Sequence, residues 1–208
     1  MARKPKYAAG DNTIERWREQ LRYDAAFASK ALVEQGEIIP MFVVHARDDG
    51  PNVVVATPWK DDADKDIAVL AVKAVCVAHD AVALSQIVEA WMRAPAPGED
   101  ASNYLPPSKA ENRREVVMCT VAWRDDATGE RRELHDIREI ERRANGKPSG
   151  LKPGSGGTES GAGDIAGRMI EILPERRPTP EEQAKAREAI EMIEAMGGLS
   201  MTEMPRKN

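Results

Sequence analysis

The stretch "NGKPSGLKPGSGGTESGAGD", residues 145–164, limits what this chain can fold into more than any other feature. Seven of its twenty residues are glycine, and Leu151 and Ala162 are its only apolar side chains. Ordering such a backbone costs conformational entropy that so little apolar surface cannot offset. The composition therefore predicts a flexible linker over residues 144–163. It divides the 208 residues into a disordered N-terminus (1–10), a compact α/β domain (11–143) and a helical C-terminal segment (164–208).

Within the domain the period of the apolar residues changes from element to element. Ile14, Trp17, Leu21, Ala25, Ala28 and Leu32 recur at helical spacing, Asn12 and Glu15 stand at capping-box spacing, and Gly36 supplies the stop. "IIPMFVVHA" and "VVVATPW", separated by "RDDGPN", read as a hairpin, with Pro40 at a strand start or on an edge. The acids of "KDDADKD" open a second helix, whose apolar stripe is read as Ile67, Leu70, Ala71, Ala74, Val77 and Ala78.

Residues 82–92 alternate as a strand does. Val82, Leu84, Gln86, Val88, Ala90 and Met92 share one face; Ala83, Ser85, Ile87, Glu89 and Trp91 share the other. A long polar loop, 93–113, leads to a fourth strand from Glu115 to Trp123. "RRELHDI" reads as a fifth strand ending near Ile137. After the linker, Thr179, Pro180 and Glu182 mark the start of an amphipathic helix with Ala186, Ala189, Ile190, Ile193 and Met196 on one face.

The expected fold is α+β, with element order α-β-β-α-β-β and a fifth strand. A parallel crossover between strands two and three implies a small mixed sheet with helices on one face, plus a tethered C-terminal helix. The order resembles that of small profilin-like and roadblock-like α/β sandwiches, and the resemblance implies a binding module.

Charge and composition narrow the function. Net charge is −5 and aromatics are 4% of the chain, which argues against nucleic acid as a partner. No run reaches the roughly 20 apolar residues of a membrane span, and MARKPKYAAGDN carries no apolar core behind its charges, so no membrane association and a cytoplasmic location are expected. Cys76 and Cys119 lie within apolar runs and read as buried thiols.

Chemical motifs are tested in turn. Asp62, Asp64 and Asp66 have calcium-loop spacing, but the sixth and twelfth positions are Ile67 and Lys73, which the loop does not allow. The glycine-rich stretch lacks the Gly-Lys-Ser/Thr of a phosphate loop. Cys76 and His79 form one short-spaced pair, and a structural zinc site wants two. No metal and no cofactor are expected. Ser85 and Ser108 stand in no diagnostic nucleophile context, although His45, His79 and His135 lie on different elements that a fold can bring together. Glu89 and Glu115 flank the long loop, with Ser108, Arg113 and Arg114 beside them.

"EAWM", followed by "PSKAENRREVV", resembles a pattern in uncharacterised bacterial and phage proteins. A strand ending in Glu-Ala-Trp precedes Pro-Ser, an arginine and a glutamate opening the next strand. The matching residues are Glu89, Ala90, Trp91, Pro107, Ser108, Arg113 and Glu115, over roughly residues 36 to 138. The resemblance implies a shared fold and names no activity.

Two functions are thereby set against each other. The first is a non-enzymatic binding or adaptor protein, phage or mobile-element encoded, that meets a protein partner or forms a homo-oligomer. Its contacts would be Trp91 and Arg114 on the domain and Ile190, Ile193 and Met196 on the tethered helix. The second is a hydrolase-type enzyme with Glu89 and Glu115 as its carboxylates and Ser108, Arg113 and Arg114 from the loop.

Overall fold

The computed structural model describes residues 13–47, 51–59, 61–93, 109–125, 128–154, 158–160, 169–195 and 200–204. The chain begins with α1 (Ile14–Gln35), capped by Thr13, whose hydroxyl accepts from the Arg16 amide at 3.4 Å. The cap thus falls one residue after the predicted Asn12. Gly36 ends the helix with φ of 90°, a left-handed conformation that glycine adopts without strain, and its N–H returns to the Leu32 carbonyl.

β1 (Met41–Ala46) and β2 (Asn52–Ala56) form the predicted antiparallel hairpin. Pro40 sits just before β1, and its carbonyl accepts from the Thr57 amide. α2 (Asp62–Ala78) starts at Asp61, whose carboxylate accepts from the Asp64 amide at 2.9 Å. β3 (Ala81–Met92), β4 (Arg114–Arg124) and β5 (Arg131–Arg142) follow as two long antiparallel ladders. The expected fifth strand is thus formed, and it runs five residues past its predicted end.

With β6 (Pro148–Leu151), β7 (Thr158–Ser160) and β8 (Ser200–Met204), the order across the sheet is β6-β5-β4-β3-β1-β2-β8, with β7 paired to β5 beside this path. β2 and β3 run parallel with α2 between them, as the crossover argument requires. β1, however, lies between these two strands, so every ladder among the described residues is antiparallel and the expected mixed sheet is not formed.

The helices are not confined to one face either. Trp17, Leu21, Ala25, Ala28 and Leu32 of α1 pack on Ala83, Ile87, Val117, Cys119, Val121 and Leu134. Val72, Val75 and Cys76 of α2 pack on Phe42, Val44, Val53, Val55 and Leu84, the opposite set along the strands. Two apolar cores therefore sandwich the sheet. Strand β3 is buried on both sides over its first half, which its alternation of two apolar sets already contained. The stripe of α2 is rotated from the predicted one. Ala68, Ala71, Val72, Val75, Cys76 and Ala78 are buried, while Ile67 and Leu70 are 48% and 65% exposed. Two overlapping stripes exist on this helix, and the smaller residues let the helix approach the sheet.

The glycine-rich stretch corrects the linker expectation. β6 (Pro148–Leu151) pairs with Ile140–Arg142 and β7 (Thr158–Ser160) pairs with Glu133–His135. The Lys152 amide donates to the Glu139 carbonyl at 2.9 Å, and its ammonium meets the Glu139 carboxylate at 2.8 Å. Ladder bonds to β5 hold these segments where apolar burial alone would not. Residues 155–157 and 161–168 lie outside the described set.

The C-terminal helix is docked rather than tethered. Beyond α3 (Met169–Ile172), Ile172 and Leu173 join the α2 core, and so do Ala186 and Ile190 of α4 (Pro180–Ala195). Its predicted capping box is present: the Glu182 amide donates to the Thr179 hydroxyl and the Thr179 amide to the Glu182 carboxylate. β8 (Ser200–Met204) then pairs with β2. The predicted face of α4 is thus turned inward, with Ile190 buried and Ile193 partly so; Met196 lies outside the described residues.

Candidate functional site

The outer end of β3 carries the residues named from the sequence. Glu89 stands opposite Val117 and Trp91 opposite Glu115, so Glu89, Trp91 and Glu115 share the α1 face of neighbouring strands. The two glutamates are thereby brought together, as expected. Their bonding is already committed. Glu89 Oε1 accepts from the Ile38 amide, and Glu115 Oε2 accepts from Arg142 Nε at 2.6 Å. Burial pushes the Glu89 carboxyl up; the Ile38 amide opposes this and the Glu115 charge adds to it. Arg142 also donates to the Gly146 carbonyl and is held more basic than usual by Glu115.

The arginines fall differently from expectation. Arg114 lies opposite Met92, on the other face of the sheet, and its guanidinium is 3.6 Å from Glu139 Oε2. Arg113 precedes β4 and stacks its guanidinium carbon 4.6 Å above the Trp91 ring centroid. Trp91 remains 41% exposed, and Ile39, next to the residue that Glu89 holds, is 44% exposed. Pro107 and Ser108 lie outside the described residues. The end of β3 is therefore an aromatic–cation stack with an aliphatic neighbour and a rim of paired charges. Arg142 was missed because nothing in the local sequence marks it; only the β4–β5 register brings it to Glu115.

A second group is sealed beneath α1. His45 Nε2 and Ser85 Oγ are 2.9 Å apart, and Gln20 Nε2 donates to Asp24 Oδ1 at 2.7 Å. Ser85, His45 and Asp24 are each 2% exposed or less. Burial pushes the Asp24 carboxyl up to about 7, against the hydrogen bonds from Gln20 and Ser85. The set has the composition of a hydrolase triad, but it is sealed from solvent beneath α1, and its carboxylate accepts from Gln20. Trp17 covers His45 edge-on at 5.2 Å between ring centroids. The arrangement fixes α1 on the sheet by hydrogen bonds inside a buried layer.

The histidines do not converge. His135 lies on the face opposite His45, where its Nδ1 is 3.0 Å from Thr120 Oγ1 and its Nε2 is 3.4 Å from Glu133 Oε2. All three of those residues are buried. His79 caps α2, and burial lowers its basicity. Cys76 and Cys119 are free and buried in different cores, and burial pushes both thiols up. Among the described residues no group of three or more His, Cys, Asp or Glu side chains is placed to hold a metal ion. A shallow groove of about 480 Å³ runs beside α1, lined by Arg22, Ala25, Ala26, Ser29, Lys30, Val33, Glu34 and Arg138; none of the residues named from the sequence as site candidates lines it.

No helix among the described residues is long and apolar enough to cross a membrane. No family model matches the chain, and neither does any curated protein or solved structure.

Proposed function

We propose that this chain is a non-enzymatic binding protein that meets a protein partner at the outer end of β3. The observation that carries this is the half-exposed Trp91 ring stacked under Arg113, with Ile39 exposed at the same end of the sheet. Tryptophan and arginine dominate the energetics of protein interfaces, and a central aromatic ringed by polar groups is their usual anatomy. The surrounding ion pair, Glu115–Arg142, supplies such a rim.

The contact surface differs from the one expected. Arg114 faces away from Trp91 and Arg113 takes its place, while Ile190 is consumed by packing on α2. A tethered helix seeking a groove is therefore not part of this reading. The hydrolase alternative is the weaker one, because Glu89 serves the Ile38 amide and Glu115 serves Arg142, which leaves neither as a free base. A cytoplasmic setting and a phage or mobile-element origin belong to the same proposal. Its test is Trp91→Ala beside Glu89→Gln: partner binding is lost in the first and retained in the second, with both variants folded. Retention of binding in Trp91→Ala rejects the surface.

A further inference from the structure

The outermost strands, β6 and β7 at one end of the sheet and β8 at the other, each lack a described partner on the far side, but β6 carries Pro148 and Gly150 and β7 is only three residues long. At one end the outer edge of β5 is taken by β7 along Glu133–His135 and by β6 along Ile140–Arg142. At the other end β8 pairs with β2 on one side, and no described strand pairs with it on the other. Its five residues, Ser200 to Met204, contain neither glycine nor proline, and the β2–β8 register runs without a bulge. An open strand edge presents unpaired backbone donors and acceptors, and proteins usually blunt it with lysines, prolines or bulges. Within β8 the only charge is Glu203.

We infer that two copies of this chain associate by pairing β8 with β8 antiparallel, on a twofold axis that passes through Thr202. The pattern of the strand selects both the partner and the register. A twofold axis normal to the sheet keeps its faces aligned, so odd residues must meet odd and even must meet even. With the axis at Thr202, Met201 faces the second copy's Glu203, Ser200 faces the second copy's Met204, and all five residues are used. Moving the axis to Glu203 sets two carboxylates directly opposite each other, which is unfavourable. Moving it to Met201 leaves only Ser200 to Thr202 paired. Thr202 is thus the one centre that uses the whole strand without opposing like charges. The pairing also covers Met204, which is 41% exposed in the single chain, and it places two threonines together, a favourable cross-strand pair.

This inference stands apart from the β3 surface, and Trp91→Ala leaves the dimer intact. Sedimentation of the full chain tests it. The wild type is expected to be a dimer. Thr202→Lys and Thr202→Glu each set like charges on the axis and weaken the dimer roughly fivefold or more, while an equimolar mixture of the two restores it by opposing Lys to Glu. Thr202 is exposed, so both variants are expected to fold. A wild type that stays monomeric at the highest concentration it tolerates overturns the inference, as does a Thr202→Lys dimer as tight as the wild type. Should either charged variant unfold, Thr202→Cys takes its place. It is expected to form a disulfide-linked dimer under oxidation of the native protein, since Cys76 and Cys119 are buried, and failure to cross-link overturns the pairing.

Discussion

Arg177 Nε donates to Asp80 Oδ2 at 2.9 Å, and Arg47 Nε donates to the same oxygen at 3.1 Å. One carboxylate thus joins the turn between α2 and β3, the end of β1 and the segment that leads into α4. Asp80 holds a positive φ of 47°, a conformation that asparagine also tolerates. Asp80→Asn therefore keeps the turn and removes the charge that both arginines use. The expected cost is about 2 kcal/mol, the scale of hydrogen bonds to charged groups. Hydrogen exchange within Pro180–Ala195 should quicken more than exchange in β3; equal changes in both would mean that the bond does not hold the C-terminal segment.

The buried Asp24 predicts how stability depends on pH. Its folded carboxyl titrates at about 7, above the value of 3.8 in an unfolded chain. Between these values the native state holds a proton that the unfolded state has released, so stability falls as pH rises from about 4 to about 7. Asp24→Asn removes the titrating group and should flatten this slope. Relative to wild type the variant gains stability at pH 8, on the order of 4 kcal/mol. Denaturant unfolding at pH 5 and pH 8 measures both quantities. An unchanged slope in the variant would place the titration elsewhere.

Much of the fold was legible in the chain. The two faces of residues 82–92, the stop at Gly36 and the Thr179–Glu182 capping box are local signals, and each stands where the sequence placed it. What the sequence did not show depends on pairing across distance. β1 inserts between β2 and β3, which no local pattern announces and which turns a mixed sheet into an antiparallel one. The segments Pro148–Leu151 and Thr158–Ser160 have little apolar surface, yet β5 supplies a ladder for them. In the site, alternation put Glu89 beside Trp91, and the loop flanks brought in Glu115. Arg142 lies 27 residues beyond Glu115 and reaches it only through the β4–β5 register.

The Glu115–Arg142 pair lies at the surface, and its side chains are 30% and 36% exposed. Such pairs contribute little, so Arg142→Gln should lower stability by less than about 1 kcal/mol. Thermal unfolding at low and high salt checks this. A loss several times larger would show that Arg142 holds the β5–β6 turn through the Gly146 carbonyl rather than serving as a rim charge.

Trp91→Ala removes a ring that is already 41% exposed, so its stability should change by no more than about 1 kcal/mol. Glu89→Gln keeps an acceptor for the Ile38 amide and should leave both stability and binding close to wild type. A stability loss of several kcal/mol in Trp91→Ala would make the ring a core element.

Native mass spectrometry of the untagged protein, taken from its natural host as wild type and as Trp91→Ala, tests the binding reading most directly. The account predicts a stoichiometric protein partner on the wild type and its loss from a folded Trp91→Ala. A wild type that carries only a metal or a small molecule, or a partner that stays on Trp91→Ala, would contradict it.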